Sequence, residues 1–522
     1  MKIGFFFGAG AEIGYGLPSG GKFAIDLFRQ NPSSYRSQLR EQLQAVDLTS
    51  SYAADWLPQG FRDKRIHAFG RSEFTSLIES SIEYRRTEII RRLNQFDSEC
   101  DEAMQSLGIS RELIEAKFSE LTDKSIGDSL YTHVIKLNEL LAQDVSLFSS
   151  DYYSAMLDVV KSTEGSDDLR RYVTAFLQLL VGAHGQDLVR RLNQELFEAA
   201  PDDLPIFDDV SGMFRLEFNR IGSTALELLL EESRTFDISE SSTALSLLCA
   251  VAQKVLENIF TTVLDYQKLI DDHFRYLFSP ETEWAKFTKM AVFLKIAQDY
   301  IKQQAPDIAD IPAAGYYHDL ASFAQNHEFS AIGTANYNSL LTPIFEQQGL
   351  DVPDVIHLNG SVNDYYNPYK NTVVTNDDFD ALDANQLHVP FILTQSGLKP
   401  LTSVTMSRRY VQLFDSYNNS DAIVVVGFGF NKDDSHINGL FRELIENHGK
   451  RLFVVSRDVD GTAEQQQRDL RKRLRIANNY SRSVIVVPVD SASRTIGDVL
   501  WVDHIISELT PDTPEAQESS NG

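Results

Sequence analysis

The chain opens on a wholly apolar run, Ile3–Phe7, that breaks into glycines in "KIGFFFGAGAEIGYGLPSGGKFA", residues 2–24. A short run without polar alternation is the pattern of a strand covered on both faces of a parallel sheet. From about Phe74 to Gln304 the spacing changes. "FTSLIESSIEYRRTEIIRRLNQF" and "TALSLLCAVAQKVLENIFTTVLDYQKLI" carry apolar residues every three or four positions, which predicts amphipathic helices. No fixed repeat period runs through this region. After about Ile311 the short apolar runs return, as "FSAIG", "DVIHLNG", "PFILT", "AIVVVGFGF", "RLFVVS" and "VIVVPVD". Helix-length stretches such as "SRRYVQLFDSY" and "AEQQQRDLRKRLRIA" lie between several of them.

Strand–helix alternation of this kind predicts an α/β fold, a doubly wound parallel (Rossmann-like) sheet. Residues 1–73 and 312–509 are expected to form it, interrupted by a large all-helical insertion over 74–311. The polar end, 510–522, reads as a disordered tail. At 522 residues the chain is long enough for more than one core. A net charge of −27 argues against coating nucleic acid or an anionic membrane. The two cysteines, Cys100 and Cys249, cannot build a four-cysteine zinc site. The opening lacks the layout of a signal peptide, and no uninterrupted apolar window approaches the length of a membrane helix. The expectation is a cytoplasmic protein with no metal.

Glycines placed directly after a strand let phosphate oxygens approach backbone N–H groups at a helix N-terminus. Gly8, Gly10, Gly14 and Gly16 hold such places. The loop is not a Walker A motif, because Phe23 stands where a hydroxyl residue would bind Mg²⁺. It is not the dehydrogenase fingerprint either, because Ile13 holds the third glycine position. Three later strand ends carry comparable chemistry: "GTANYNSLL" with Asn336, "VIHLNGSV" with His357 and Gly360, and "IVVVGFGF" with Gly427 and Gly429. In a doubly wound sheet all of them would open onto one edge.

The ordered set "GAGAEIGYGLP", "TANYN", "HLNG" and "VVGFGF" resembles the motifs of the sirtuin superfamily, particularly its sirtuin-like NAD-consuming branch in bacterial anti-phage defence. The similarity covers about the first 30 residues and about Tyr316 to Asp490, not the helical region. It implies NAD⁺ as substrate, Asn336 and His357 as the catalytic pair, and a binding set of Gly8, Ala9, Gly10, Glu12, Pro18, Thr334, Ala335, Gly360, Gly427, Gly429 and Ser456. Ser456 is placed there for the adenine-side ribose. Deacylase sirtuins carry a four-cysteine zinc module and a Pro-Asp-Phe-Arg element. This chain has neither, and Glu12 replaces the usual small hydroxyl residue. Because a carboxylate repels a pyrophosphate, Glu12 is expected to face a ribose, a cation or solvent.

The residue types suit cleavage of the nicotinamide–ribose bond, in which positive charge builds on the ribose as in glycoside hydrolysis. A side-chain amide at 336 both donates and accepts, so it can hold a ribose hydroxyl and a water. An imidazole at 357 can take a proton near neutral pH. The expected activity is an NAD⁺ glycohydrolase that depletes NAD⁺ during phage infection, gated by homo-oligomerisation or by a separate sensor or ATPase protein. Cyclisation of ADP-ribose is a variant of it. NAD-dependent deacylation or ADP-ribosylation, and a non-enzymatic nucleotide-binding scaffold, are the alternatives. Asn336 could instead cap the following helix, His357 could be a satisfied buried histidine, and "RDLRKRLR" reads as a solvated helix face.

Overall fold

Six of the apolar runs pair side by side, and the chain contributes nine strands that matter to the site. These are β1 (Lys2–Phe7), β2 (Glu328–Thr334), β3 (Val355–His357), β4 (Gly360–Asn367), β5 (Thr372–Thr375), β6 (Val389–Ile392), β7 (Ala422–Val426), β8 (Leu452–Arg457) and β9 (Val484–Val489). The structure is a computed structural model. It describes residues 1–18, 20–128, 146–184, 223–230, 235–351, 354–394, 403–457 and 462–510. Apart from Thr510, the tail expected to be disordered lies outside the described residues.

The main sheet has the order β3-β2-β1-β7-β8-β9, with every pair parallel. The chain winds outward from β1 to β3, then returns to the other side of β1 for β7, β8 and β9. This is a mixed α/β architecture compatible with a Rossmann-like fold. Its direction of winding reverses between β1 and β7, which is where open sheets of this kind leave a crevice at their carboxyl ends.

The lack of polar alternation in β1 has a direct cause. Ile3, Phe5 and Phe7 join a core with the helices Leu320–Asn326, Leu341–Gln347 and Trp501–Leu509. Phe6, with Ile423 and Val425 of β7, joins a second core with the helices Val404–Asn418, Ser435–Glu446 and Ala463–Leu474. Both faces of the strand are therefore dry. Tyr417 lies flat on the second face and donates its hydroxyl to the Phe5 carbonyl at 2.6 Å. Gly4 is required beneath it, because a Cβ there would stand 2.4 Å from the Tyr417 ring. Gly4→Ala is accordingly expected to cost about 1–3 kcal/mol through overpacking, read as a lower urea midpoint with an unchanged slope.

One apolar run leaves the parallel sheet. "PFILT" forms β6, which pairs antiparallel with β4 in a separate three-stranded sheet of order β5-β4-β6. The link from β4 to β5 is only four residues, with Asn371 in a left-handed turn. A parallel crossover needs a dozen residues or more, so the β4–β5 pairing has to be antiparallel. Strand character was legible in the run, whereas its partner and direction were not.

The chain divides into two compact units. The first, Met1–Ser19, Pro32–Ala68 and Ile270–Gly522, holds the parallel sheet and the three-stranded sheet. It also contains the helix Trp284–Gln304, whose buried Gln298 donates to the Val362 carbonyl at 2.7 Å. The second, Gly20–Asn31 and Phe69–Leu269, is helical among the described residues and includes the helix Gly20–Arg29. Gly21 there packs so closely on the Thr261 backbone that a Cβ would fall 1.7 Å from its carbonyl oxygen. The helix Ala244–Val263 is long and apolar enough to cross a membrane by composition alone, but its apolar residues fill the core of this unit. Cys100 and Cys249 are both buried, and neither is in a disulfide.

Candidate active site

Two glycine loops meet at the reversal point. Gly8 N–H donates to Val426 O at 2.9 Å, and Gly10 N–H donates to Gly427 O at 2.8 Å. Gly427 is left-handed (φ 68°), and a Cβ on it would stand 2.1 Å from the Ala11 nitrogen. One on Gly8 would stand 2.7 Å from Gly427 O. These glycines are thus required by one loop seating on the other. Ala9 and Gly10 begin a 3-10 turn, and Glu12 caps it. Gly16 is left-handed, and Pro18 follows it, half-buried.

Asn336 stands just past β2, buried. Thr334 Oγ1 accepts its backbone N–H at 2.9 Å and donates to Phe7 O at 3.0 Å, while Ala335 N–H also donates to Phe7 O. The Asn336 amide donates to Gly8 O at 3.2 Å and to the Tyr317 hydroxyl at 3.4 Å. Asn336 is not the cap of the next helix. That helix starts at Leu341, and the local turn is closed by Asn338, whose Oδ1 accepts from Leu340 N–H at 3.0 Å.

His357 ends β3 and is half-buried. Its Nδ1 lies 2.9 Å from Asn336 O. A carbonyl can only accept, so Nδ1 carries the proton and the neutral ring presents its lone pair at Nε2. Burial pushes the imidazole below its ordinary value of 6.5, outweighing the Asn336 carbonyl and the nearby Asp364 charge. The ring is therefore neutral at pH 7.

The Glu12 carboxylate faces neither solvent nor the glycine loop. It is buried, accepting the Tyr317 hydroxyl on Oε1 at 2.6 Å and the Asn338 amide on Oε2 at 2.6 Å. Burial pushes its pKa up from 4.5 to about 7, against the hydrogen bonds from Tyr317, Asn338 and Asn336. A small pocket opens here, walled by Glu12, Tyr317, Thr334, Asn338, Ser339 and His357 among others.

The raised Glu12 pKa makes a stability prediction. Below pH 4.5 the carboxyl holds its proton whether folded or unfolded. Between 4.5 and about 7 only the folded state holds it, so stability falls as pH rises, by ~3 kcal/mol across the window. Urea denaturation at pH 5 and pH 8 should show this loss in the wild type. It should shrink by about that amount in Glu12→Gln.

The other expected residues are placed as follows. Gly360 is left-handed at the start of β4, and a Cβ on it would stand 1.9 Å from Phe391 O, so it serves the β4–β6 contact. Gly429 O accepts from Arg473 at 2.9 Å. Ser456 lies in β8 opposite Pro488 of β9, three strands along the sheet from β2. The basic helix Ala463–Leu474 otherwise spends its charges locally, as in Lys472–Asp469. Four participants went unread in the sequence. Asn338 could have been found, because it shares the "TANYN" loop with Asn336. Tyr317 has no local signal. Nor do Arg409 and Asp364, which form a bidentate pair at 2.6 and 2.8 Å while Arg409 also donates to His357 O at 3.1 Å.

Among the described residues no group of histidine, cysteine and acidic side chains is arranged to hold a metal ion. Comparison of the chain with protein-family models, with curated proteins and with solved structures finds no match in any of the three.

Proposed function

We propose that this chain is an NAD⁺ glycohydrolase, releasing nicotinamide and ADP-ribose. The observation that carries the reading is the 2.9 Å bond joining His357 to Asn336, residues drawn from two separate motifs, beside the glycine loop at the carboxyl edge of the sheet. His357 lines a small pocket there, with Glu12, Tyr317 and Thr334 also on its walls.

The roles follow from the hydrogen-bond inventory. Both amide hydrogens of Asn336 have acceptors, in Gly8 O and Tyr317 Oη. Its Oδ1 is then the atom left to accept from a ribose hydroxyl or a water. Nicotinamide leaves with the electron pair of the glycosidic bond, which neutralises its ring nitrogen, and the anomeric carbon becomes cationic. Water attacks that carbon, and its proton goes to Nε2 of the neutral His357. The glycine loop and the β7 turn would take the rest of the dinucleotide, with Gly427 and Gly429 on the adenosine side.

The same proposal makes the helical segment 74–311 an insertion that gates the enzyme through a homo-oligomer or a sensor or ATPase partner. It also makes the activity an NAD⁺-depleting response to phage. Both parts rest on the sirtuin-like motifs. The test is NAD⁺ loss with products identified by mass spectrometry, for the purified chain alone and with extracts of phage-infected and uninfected cells. Nicotinamide with ADP-ribose supports the reading. NAD⁺ that binds yet survives every condition overturns it.

A further inference from the structure

We infer that Glu12 and Tyr317 form a positioning relay that aims the side chain of Asn336. Given the proposed role of Asn336, the relay sets the rate of the reaction without either residue reacting. The relay is a chain of directional bonds. Asn336 Nδ2 donates to the Tyr317 oxygen, and the Tyr317 hydroxyl donates onward to Glu12 Oε1 at 2.6 Å. Asn338 donates to the other oxygen of the same carboxylate.

The direction of these bonds matters because an amide is nearly symmetric in shape. Flipping Asn336 would put its oxygen against Gly8 O and the Tyr317 oxygen, and its NH₂ toward the substrate. The Tyr317 oxygen receives a hydrogen only while its own hydroxyl hydrogen is committed elsewhere, and the ionised Glu12 carboxylate commits it. Protonated Glu12 would have a hydrogen of its own to place and would no longer hold the phenol in that sense. The phenol is also fixed by its surroundings. Its ring stacks on Tyr15 at 5.4 Å and takes Phe7 edge-on at 4.9 Å, and its backbone N–H donates to the Tyr15 hydroxyl at 3.0 Å. The groups facing the carboxylate are therefore Tyr317, Asn338 and Asn336, none of them charged near pH 7. Glu12, Tyr317 and Asn336 come from three separate stretches of chain, so no local turn demands the arrangement.

The test is a double-mutant cycle on the full-length protein with Glu12→Gln, Tyr317→Phe and the pair. It is read in two ways: kcat and KM for NAD⁺ from pH 5.5 to 9, and thermal midpoints at pH 8. In the wild type kcat is expected to rise through pH 7. Each single variant should lose that limb and about tenfold or more in kcat, with KM changed less than about threefold. The double variant should be no worse than the poorer single, because both break one relay. Thermal midpoints should be non-additive in the same sense. Losses that multiply, additive midpoints, or a Glu12→Gln variant with wild-type kcat and pH profile would each overturn the relay. A wild type that leaves NAD⁺ intact while the midpoints remain non-additive sinks the proposed function instead and leaves the relay standing as a device that orients Asn336.

Discussion

Replacing His357 or Asn336 by alanine is expected to lower the proposed NAD⁺ cleavage by about 10³-fold, through losses of different kinds. Under the proposed mechanism His357→Ala removes the lone pair that would take the proton of water, so kcat should fall while KM holds. The residual rate should also lose its dependence on the imidazole, whose titration lies below 6.5 in the folded chain. Asn336→Ala removes the acceptor at Oδ1 together with the bonds to Gly8 O and Tyr317. Its effect should divide between kcat and KM. Both variants should keep the wild-type far-ultraviolet dichroism, because each removed side chain lies at the rim of the sheet and leaves the two cores intact. Rates within tenfold of wild type for both would remove these residues from the chemistry.

The second large effect belongs to a pair that does no chemistry. Asp364 is fully buried in β4 and is held by both terminal nitrogens of Arg409 and by the Thr375 hydroxyl at 2.6 Å. Burial by itself would raise this carboxyl. The guanidinium and the hydroxyl outweigh it and hold the group below the ordinary 3.8. Its contribution to stability is therefore present above pH 4 and is lost as pH falls through the depressed folded value. Arg409→Met strands the carboxylate in the interior and should cost about 3–5 kcal/mol. Adding Asp364→Asn to it should recover part of the loss, since the uncompensated charge is then gone. Activity should fall as well, measured on the fraction still folded, because Arg409 also holds the His357 carbonyl. An Arg409→Met chain as stable as wild type would show the pair to be dispensable.

The sequence by itself determined the strands of the main sheet, the helical texture of the middle of the chain and the strand ends that carry the candidate site. These properties are local. A strand dry on both faces has to be written without polar residues, as Phe5, Phe6 and Phe7 are, and a sharp turn with φ above zero has to be written with glycine, as Gly427 is. Tertiary structure alone decided the rest. It set "PFILT" antiparallel in a second sheet, because direction depends on the length of the connection and on the partner. It packed the glycines of the 8–10 and 427 loops against each other. It also brought Tyr317 to Glu12 across 305 positions and Arg409 to Asp364 across 45. A hydrogen bond between side chains leaves no period in the sequence. A buried glutamate is legible as unusual only once the fold shows that water cannot reach it.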